Sequence, residues 1–121
     1  MPTDVNQWVE AVAKLTALTQ DGSLQWEARS PFGERSVVGL SYYTEYKHQR
    51  LRLERRMVVD EDAASFRRGS RVERIFLEFI DNDDNSLWTF PEVDALEDLY
   101  SAVRYQTAGA KAFLDDLLST G

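Results

Sequence analysis

Apolar residues recur at helical spacing from Val5 through Trp8, Val9, Val12 and Leu15 to Thr19, which predicts an amphipathic helix over residues 3–20. Thr3 or Asp4 can cap it, and Asp21-Gly22 ends it, since glycine readily takes the left-handed conformation past a helix end. Leu24, Trp26 and Ala28 then alternate with Gln25 and Glu27, the period of a half-buried strand. Ser30-Pro31-Phe32-Gly33 reads as a turn. A second strand over 35–46 is rich in β-branched and aromatic residues, and Lys47-His48-Gln49 connects it to a third over 50–59. On that third strand Leu51, Leu53 and Met57 share one face, and Arg50, Arg52, Glu54 and Arg56 share the other, which predicts one buried and one wet face. Residues 60–70 have no periodicity and read as a loop. Ile75, Leu77 and Phe79 mark the inner face of a fourth strand over 71–80, Asp81 to Asn85 form a turn, and a short fifth strand returns over 86–90 until Pro91 stops it.

One long closing helix follows in the pattern. Asp94 and Glu97 make a start resembling a capping box, and Leu96, Leu99, Val103, Gln106, Ala110, Phe113 and Leu117 fall at spacings of three and four, widened by Tyr100, Thr107 and Leu114. The stripe predicts an unbroken helix over 94–118. Gln106 interrupts it with a polar group that needs a hydrogen bond, either within the chain or across a dimer seam. Packing within the chain is favoured, because a sheet face must be covered, and Gly109 and Ala110 would let the first helix approach closely. The expected fold is α+β in the order α-β-β-β-β-β-α: an antiparallel meander of four to five strands flanked by an N-terminal and a long C-terminal helix, as a single domain over 1–121. Trp8, Trp26 and Trp88 fall on inward phases and are expected in the core.

Composition narrows the class of protein. A chain of 121 residues with 43% hydrophobic and 29% charged positions suits one ordinary globular domain. With no cysteine and a single histidine, His48, neither a disulfide framework nor the common zinc sites can form. The polar start and the lack of an apolar run of about 20 residues predict no secretory leader and no membrane span, so a cytoplasmic location is the default expectation. No cofactor is expected. The net charge of −7 is unevenly spread: residues 47–74 hold nine basic residues against five acids, a net of +4, and the rest of the chain carries −11.

That basic stretch is the candidate binding surface. Arg50, Arg52 and Arg56 project from one side of a strand, with Arg67, Arg68 and Arg71 nearby in sequence. Exposed arginines beside aromatic residues on a sheet can bind RNA, but Glu45, Glu54 and Glu73 interleave with them and the remainder of the chain repels a polyanion. Another protein is the better partner. Tyr42, Tyr46, Tyr100 and Gln106 could line an apolar pocket between sheet and helices. Asp81, Asp83 and Asn85, followed by Thr89 and Glu92, occupy positions that an EF-hand loop uses, which makes the first three a weak metal candidate. Ser86 stands where that loop wants glycine, Pro91 blocks the exit helix, and a strand precedes it, so a hairpin turn is favoured. His48 reads as an exposed turn residue, the paired acids as solvated charge, and the six glycines form no phosphate-binding loop.

Two segments carry a resemblance. Thr19-x-x-Gly22-x-Leu24-x-Trp26 after the first helix, and Leu87-Trp88-x-Phe90-Pro91-Glu92-Val93 leading into Leu96, Leu99, Val103 and Gln106 and on to Phe113, Leu114 and Leu117, are similar to runs in short bacterial α+β proteins of unknown function. The likeness covers the first and last quarters of the chain. It implies the topology and adds nothing about chemistry. The expectation for function is a non-enzymatic protein-interaction domain, of the immunity-protein, antitoxin, chaperone or conflict-system modulator type, acting as a monomer or homodimer. The alternatives are a small-molecule-binding domain and, less favoured, nucleic-acid binding through the Arg50–Arg56 strand.

Overall fold

A computed structural model describes residues 5–31, 33, 36–59 and 71–120. The expected cap at Thr3 or Asp4, the loop over 60–70 and the side chains of Arg67 and Arg68 lie outside the described residues. Helix α1 (Val5–Gln20) buries Val12, Leu15 and Thr19. Its end is closed by Gly22 at φ +84°, with the Leu24 amide donating to Leu18 O at 3.0 Å.

The strands β1 (Glu27–Arg29), β2 (Val37–Tyr46), β3 (Gln49–Val59), β4 (Arg71–Ile80) and β5 (Ser86–Thr89) form one antiparallel sheet in sequence order. The α+β meander is as the hydrophobic pattern predicts. Strand β1 is shorter than the alternation suggests. The backbone groups of Leu24, Gln25 and Trp26 bond to the side chains of Gln106 and Thr44 in place of a neighbouring strand's backbone. Lys47 and His48 turn β2 into β3 with φ of 48° and 70°, the positive sense that two-residue hairpin turns need. A bulge divides β2. Val38 pairs with Arg55 and Tyr42 with Leu53, so β2 carries two extra residues, and Gly39 takes φ +79° there. Because side chains alternate with period two, a two-residue insertion leaves each face's pattern intact.

One face of the sheet packs on the helices. Tyr42, Leu51, Leu53, Ile75 and Leu77 meet Val12, Leu15, Leu96, Leu99, Tyr100 and Val103 in one core. Helix α2 (Ala95–Thr107) supplies the last four. Asp94 stands at its start without a side-chain capping bond, so the expected capping box does not form. Trp26 is buried and Trp8 half-buried, but Trp88 is 41% exposed, on the short edge strand β5, with its ring 4.9 Å from Trp8. The expectation that all three tryptophans are core thus fails at Trp88.

The predicted single closing helix is two helices. Gly109 adopts φ +73°, its amide donates to Gln106 O at 3.2 Å, and the chain restarts as α3 (Ala110–Ser119). A left-handed residue rotates the chain out of the helical path, so Phe113, Leu114 and Leu117 leave the stripe that Leu96, Leu99 and Val103 continue to form. No other group lies within 4 Å of a Cβ built on Gly109, so this glycine breaks the helix and is not a point of close approach for α1. No helix among the described residues is long and apolar enough to cross a membrane.

Candidate functional site

Antiparallel register places the even-numbered residues of β3 on the face away from the helices, beside Glu78 of β4, which pairs with Arg52. This face is not wet. The side chains of Glu54 and Glu78 are only 8% and 4% exposed. Arg52 donates to Glu78 Oε1 through Nη2 at 3.0 Å and Nε at 3.2 Å. Arg56 donates to Glu54 Oε1 at 2.6 Å and also to Glu78, and Ser41 Oγ donates to Glu54 Oε2 at 2.5 Å. Arg50 bonds Asp84 Oδ1 at 2.6 Å and Asp81 O at 2.7 Å. Burial alone would raise the Glu78 carboxyl. The hydrogen bond from Ser86 and the charges and bonds of Arg56 and Arg52 outweigh it and hold the group below the usual glutamate range.

The predicted basic strip is therefore an ion-pair network. Arg50, Arg52 and Arg56 spend their charges on Asp84, Glu78 and Glu54, and Arg56 also stacks on Phe76 at 4.7 Å. Arg71 is exposed at the start of β4, away from these pairs. A concavity of about 680 Å³ opens over the network, lined by Ser41, Tyr43, Arg52, Glu78 and Ser86 among others. Arg55, of the opposite parity, faces the helices, where it pairs with Glu73 and Glu97 at 3.2 Å each and lies over the Tyr100 ring.

The four residues expected to line a pocket are only partly brought together. Tyr42 and Tyr100 are both buried and meet edge to face at 5.7 Å, and burial raises the Tyr100 hydroxyl's pKa. Tyr46 is 39% exposed at the hairpin end, near Lys47. Gln106 acts as a latch: Oε1 accepts from the Trp26 amide at 2.8 Å, while Nε2 donates to Thr19 O at 2.9 Å and Leu24 O at 2.8 Å. The polar break in the stripe thus bonds within the chain.

At the β4–β5 turn, Asp81 Oδ1 accepts from the amides of Asp83 and Asn85 at 2.8 and 2.9 Å, and Oδ2 accepts from Asn85 Nδ2 at 3.3 Å. These bonds, chiefly the one from the Asn85 amide, lower the Asp81 pKa. They make a tight Asx turn with the carboxylate turned to its own backbone. Among the described residues no group of three or more His, Asp or Glu side chains is placed to hold a metal ion. His48 sits exposed in its turn.

The helical side carries the feature that the hydrophobic pattern concealed. No residue of α3 is buried, yet Phe113, Leu114, Leu117 and Leu118 are 69%, 44%, 57% and 73% exposed. At 100° per residue these four and Ala110 fall on one side of α3. The other side holds Lys111, bonded to Asp115 at 2.8 Å, and Ala112. That polar side lines a groove of about 880 Å³ shared with Thr16 of α1 and Ala102 and Tyr105 of α2. The α3 helix thus faces its own groove with its polar side and solvent with its apolar side. Gly109 is the sequence signal that could have located the break, since glycine is the residue that ends helices most readily.

No protein-family model, curated protein or solved structure matches this chain.

Proposed function

We propose that this chain is a non-enzymatic protein-interaction domain that docks its partner through the apolar stripe of α3. The carrying observation is the exposure of Phe113, Leu114, Leu117 and Leu118 together on a helix without a buried residue. Contiguous apolar surface left in water is a standing cost to a monomer and marks interaction sites. An immunity protein, antitoxin, chaperone or conflict-system modulator works by such docking. The open sheet face supports the same reading. Its arginines and carboxylates are matched to each other, which leaves little unpaired positive charge for a nucleic acid. To test it, the immobilised protein and its Leu117→Asp variant are exposed to extract from the native host. The native chain should retain a stoichiometric protein and the variant should lose it with its fold intact. Equal retention by both, or substrate turnover by the isolated chain, would sink the proposal.

A second reading, small-molecule binding, is favoured by the 880 Å³ groove between α1, α2 and α3, which is of ligand size. It predicts a saturable rise in melting temperature with a bound metabolite, abolished by filling the groove through Ala102→Phe.

A further inference from the structure

We infer that the groove between α1, α2 and α3 takes a small organic amine in its protonated form, with the ammonium group at Asp98 and Asp21 and the carbon body along the groove wall. The inference rests on the reading of this groove as a small-molecule site and names the chemical class that enters it. The charges of the lining decide the sign. Among the described residues that line it, the carboxylates are Asp21, Asp98 and Asp115, and the one cation, Lys111, is bonded to Asp115 at 2.8 Å. Asp98 makes no ion pair or side-chain hydrogen bond among the described residues. Asp21 accepts the Ser23 amide at 2.8 Å and lies within reach of the Lys14 charge without pairing with it. The lining is thus left negative. The carboxyl ends of α1 and α2 both reach the groove and add partial negative charge, of which the amino end of α3 offsets one share.

Hydrogen-bonding capacity points the same way. Gln106 spends both N–H donors on Thr19 O and Leu24 O. Gln25 donates through Nε2 to Gly22 O at 2.8 Å, which leaves Oε1 to accept, and Thr16 donates its hydroxyl proton to Val12 O at 2.9 Å, which leaves its lone pairs. A groove with acceptors to spare and negative charge suits a group that is all donor and positive, which an ammonium is. Ala102, Ala112 and the exposed ring of Tyr105 form the apolar part of the wall, so the rest of the ligand is hydrocarbon or aromatic. Asp21 and Asp98 are exposed, so the preference for positive charge is modest and sensitive to salt.

Phenethylammonium, phenethyl alcohol and phenylacetate share one body and differ in charge. Titrated into the ¹⁵N-labelled chain at neutral pH and low salt, the ammonium should shift the amides of Ser101, Ala102 and Tyr105 at millimolar concentration. It should bind about tenfold tighter than the alcohol, and phenylacetate more weakly than either. At about 0.5 M salt the preference for the ammonium should fall below about threefold. Asp98→Asn, an exposed change that keeps the fold, should weaken the ammonium about threefold and leave the alcohol unchanged. Asp116→Asn removes the same charge outside the groove and should leave both unchanged, whereas Ala102→Phe should abolish all binding. Equal binding of the three probes, blocked by Ala102→Phe, would overturn the amine and leave the groove a ligand site. Ammonium binding that survives Ala102→Phe, ignores Asp98→Asn or weakens equally in Asp116→Asn would also overturn it, since net charge would then be the cause. No shift with any probe would sink both the amine and the groove as a ligand site.

Discussion

Glu78 is the most enclosed of the acids on the open sheet face, and its carboxylate is met by Arg52, Arg56 and Ser86. Replacing one member of such a group leaves the others buried and unmatched. Glu78→Gln should therefore cost about 3 kcal/mol, measured by urea unfolding at neutral pH. The pH dependence has a fixed sign. The folded-state pKa of Glu78 is lowered, so its contribution is full above the ordinary glutamate pKa and disappears as pH falls through the folded value. The stability of the native chain should fall on acidification below about pH 4.5, and that of Glu78→Gln should fall less steeply. An identical acid limb in both proteins would show that other carboxylates set it. The alternation on β3 told which residues share this face, but not that the face is shielded. That depends on the register placing Glu78 opposite Arg52 and on the bulge delivering Ser41 to Glu54, neither of which a single strand's pattern contains.

Among the elements, the β2–β3 and β4–β5 hairpins were the most legible, because both turns are written in local residue chemistry: positive φ at Lys47, His48 and Asp84, and an aspartate that bonds its own backbone. The closing helix was the least. Apolar spacing of three and four runs straight through Gly109, and periodicity cannot register one left-handed residue. Gly109→Ala isolates that residue's effect. A Cβ there meets no other group within 4 Å, so the penalty is conformational alone, about 1 kcal/mol for an L-residue held at positive φ. Thermal unfolding should report this loss. Alanine also favours continuing α2 into α3, so a rise in helical circular dichroism with unchanged stability would mean that the helix had straightened, and with it the direction in which the α3 stripe faces.

For the whole molecule, the sequence carried the layer architecture almost completely, since the inner faces of α1, β3, β4 and α2 are each marked by their own period. It could not reveal which apolar side chains remain outside, because exposure is decided by what the rest of the fold reaches. Residues that serve the core in Leu99 and Val103 have counterparts of the same spacing and chemistry in Phe113 and Leu117 that stay exposed. The sheet ends in strands of three and four residues, β1 and β5, too short to template extended pairing with other chains.

The Gln106 latch also has a consequence in time. Its amide joins backbone groups 80 or more residues away, at Trp26, Thr19 and Leu24. Contacts so distant along the chain bear a large loop-closure cost and form after the local hairpins. An interaction made after the folding barrier restrains escape from the native state without hastening arrival at it. Gln106→Ala, which strands buried backbone groups at a cost of about 2 kcal/mol, should then raise the unfolding rate roughly thirtyfold and leave refolding nearly unchanged in stopped-flow measurements. A matching drop in the refolding rate would instead place the joining of the two ends of the chain at the start of folding.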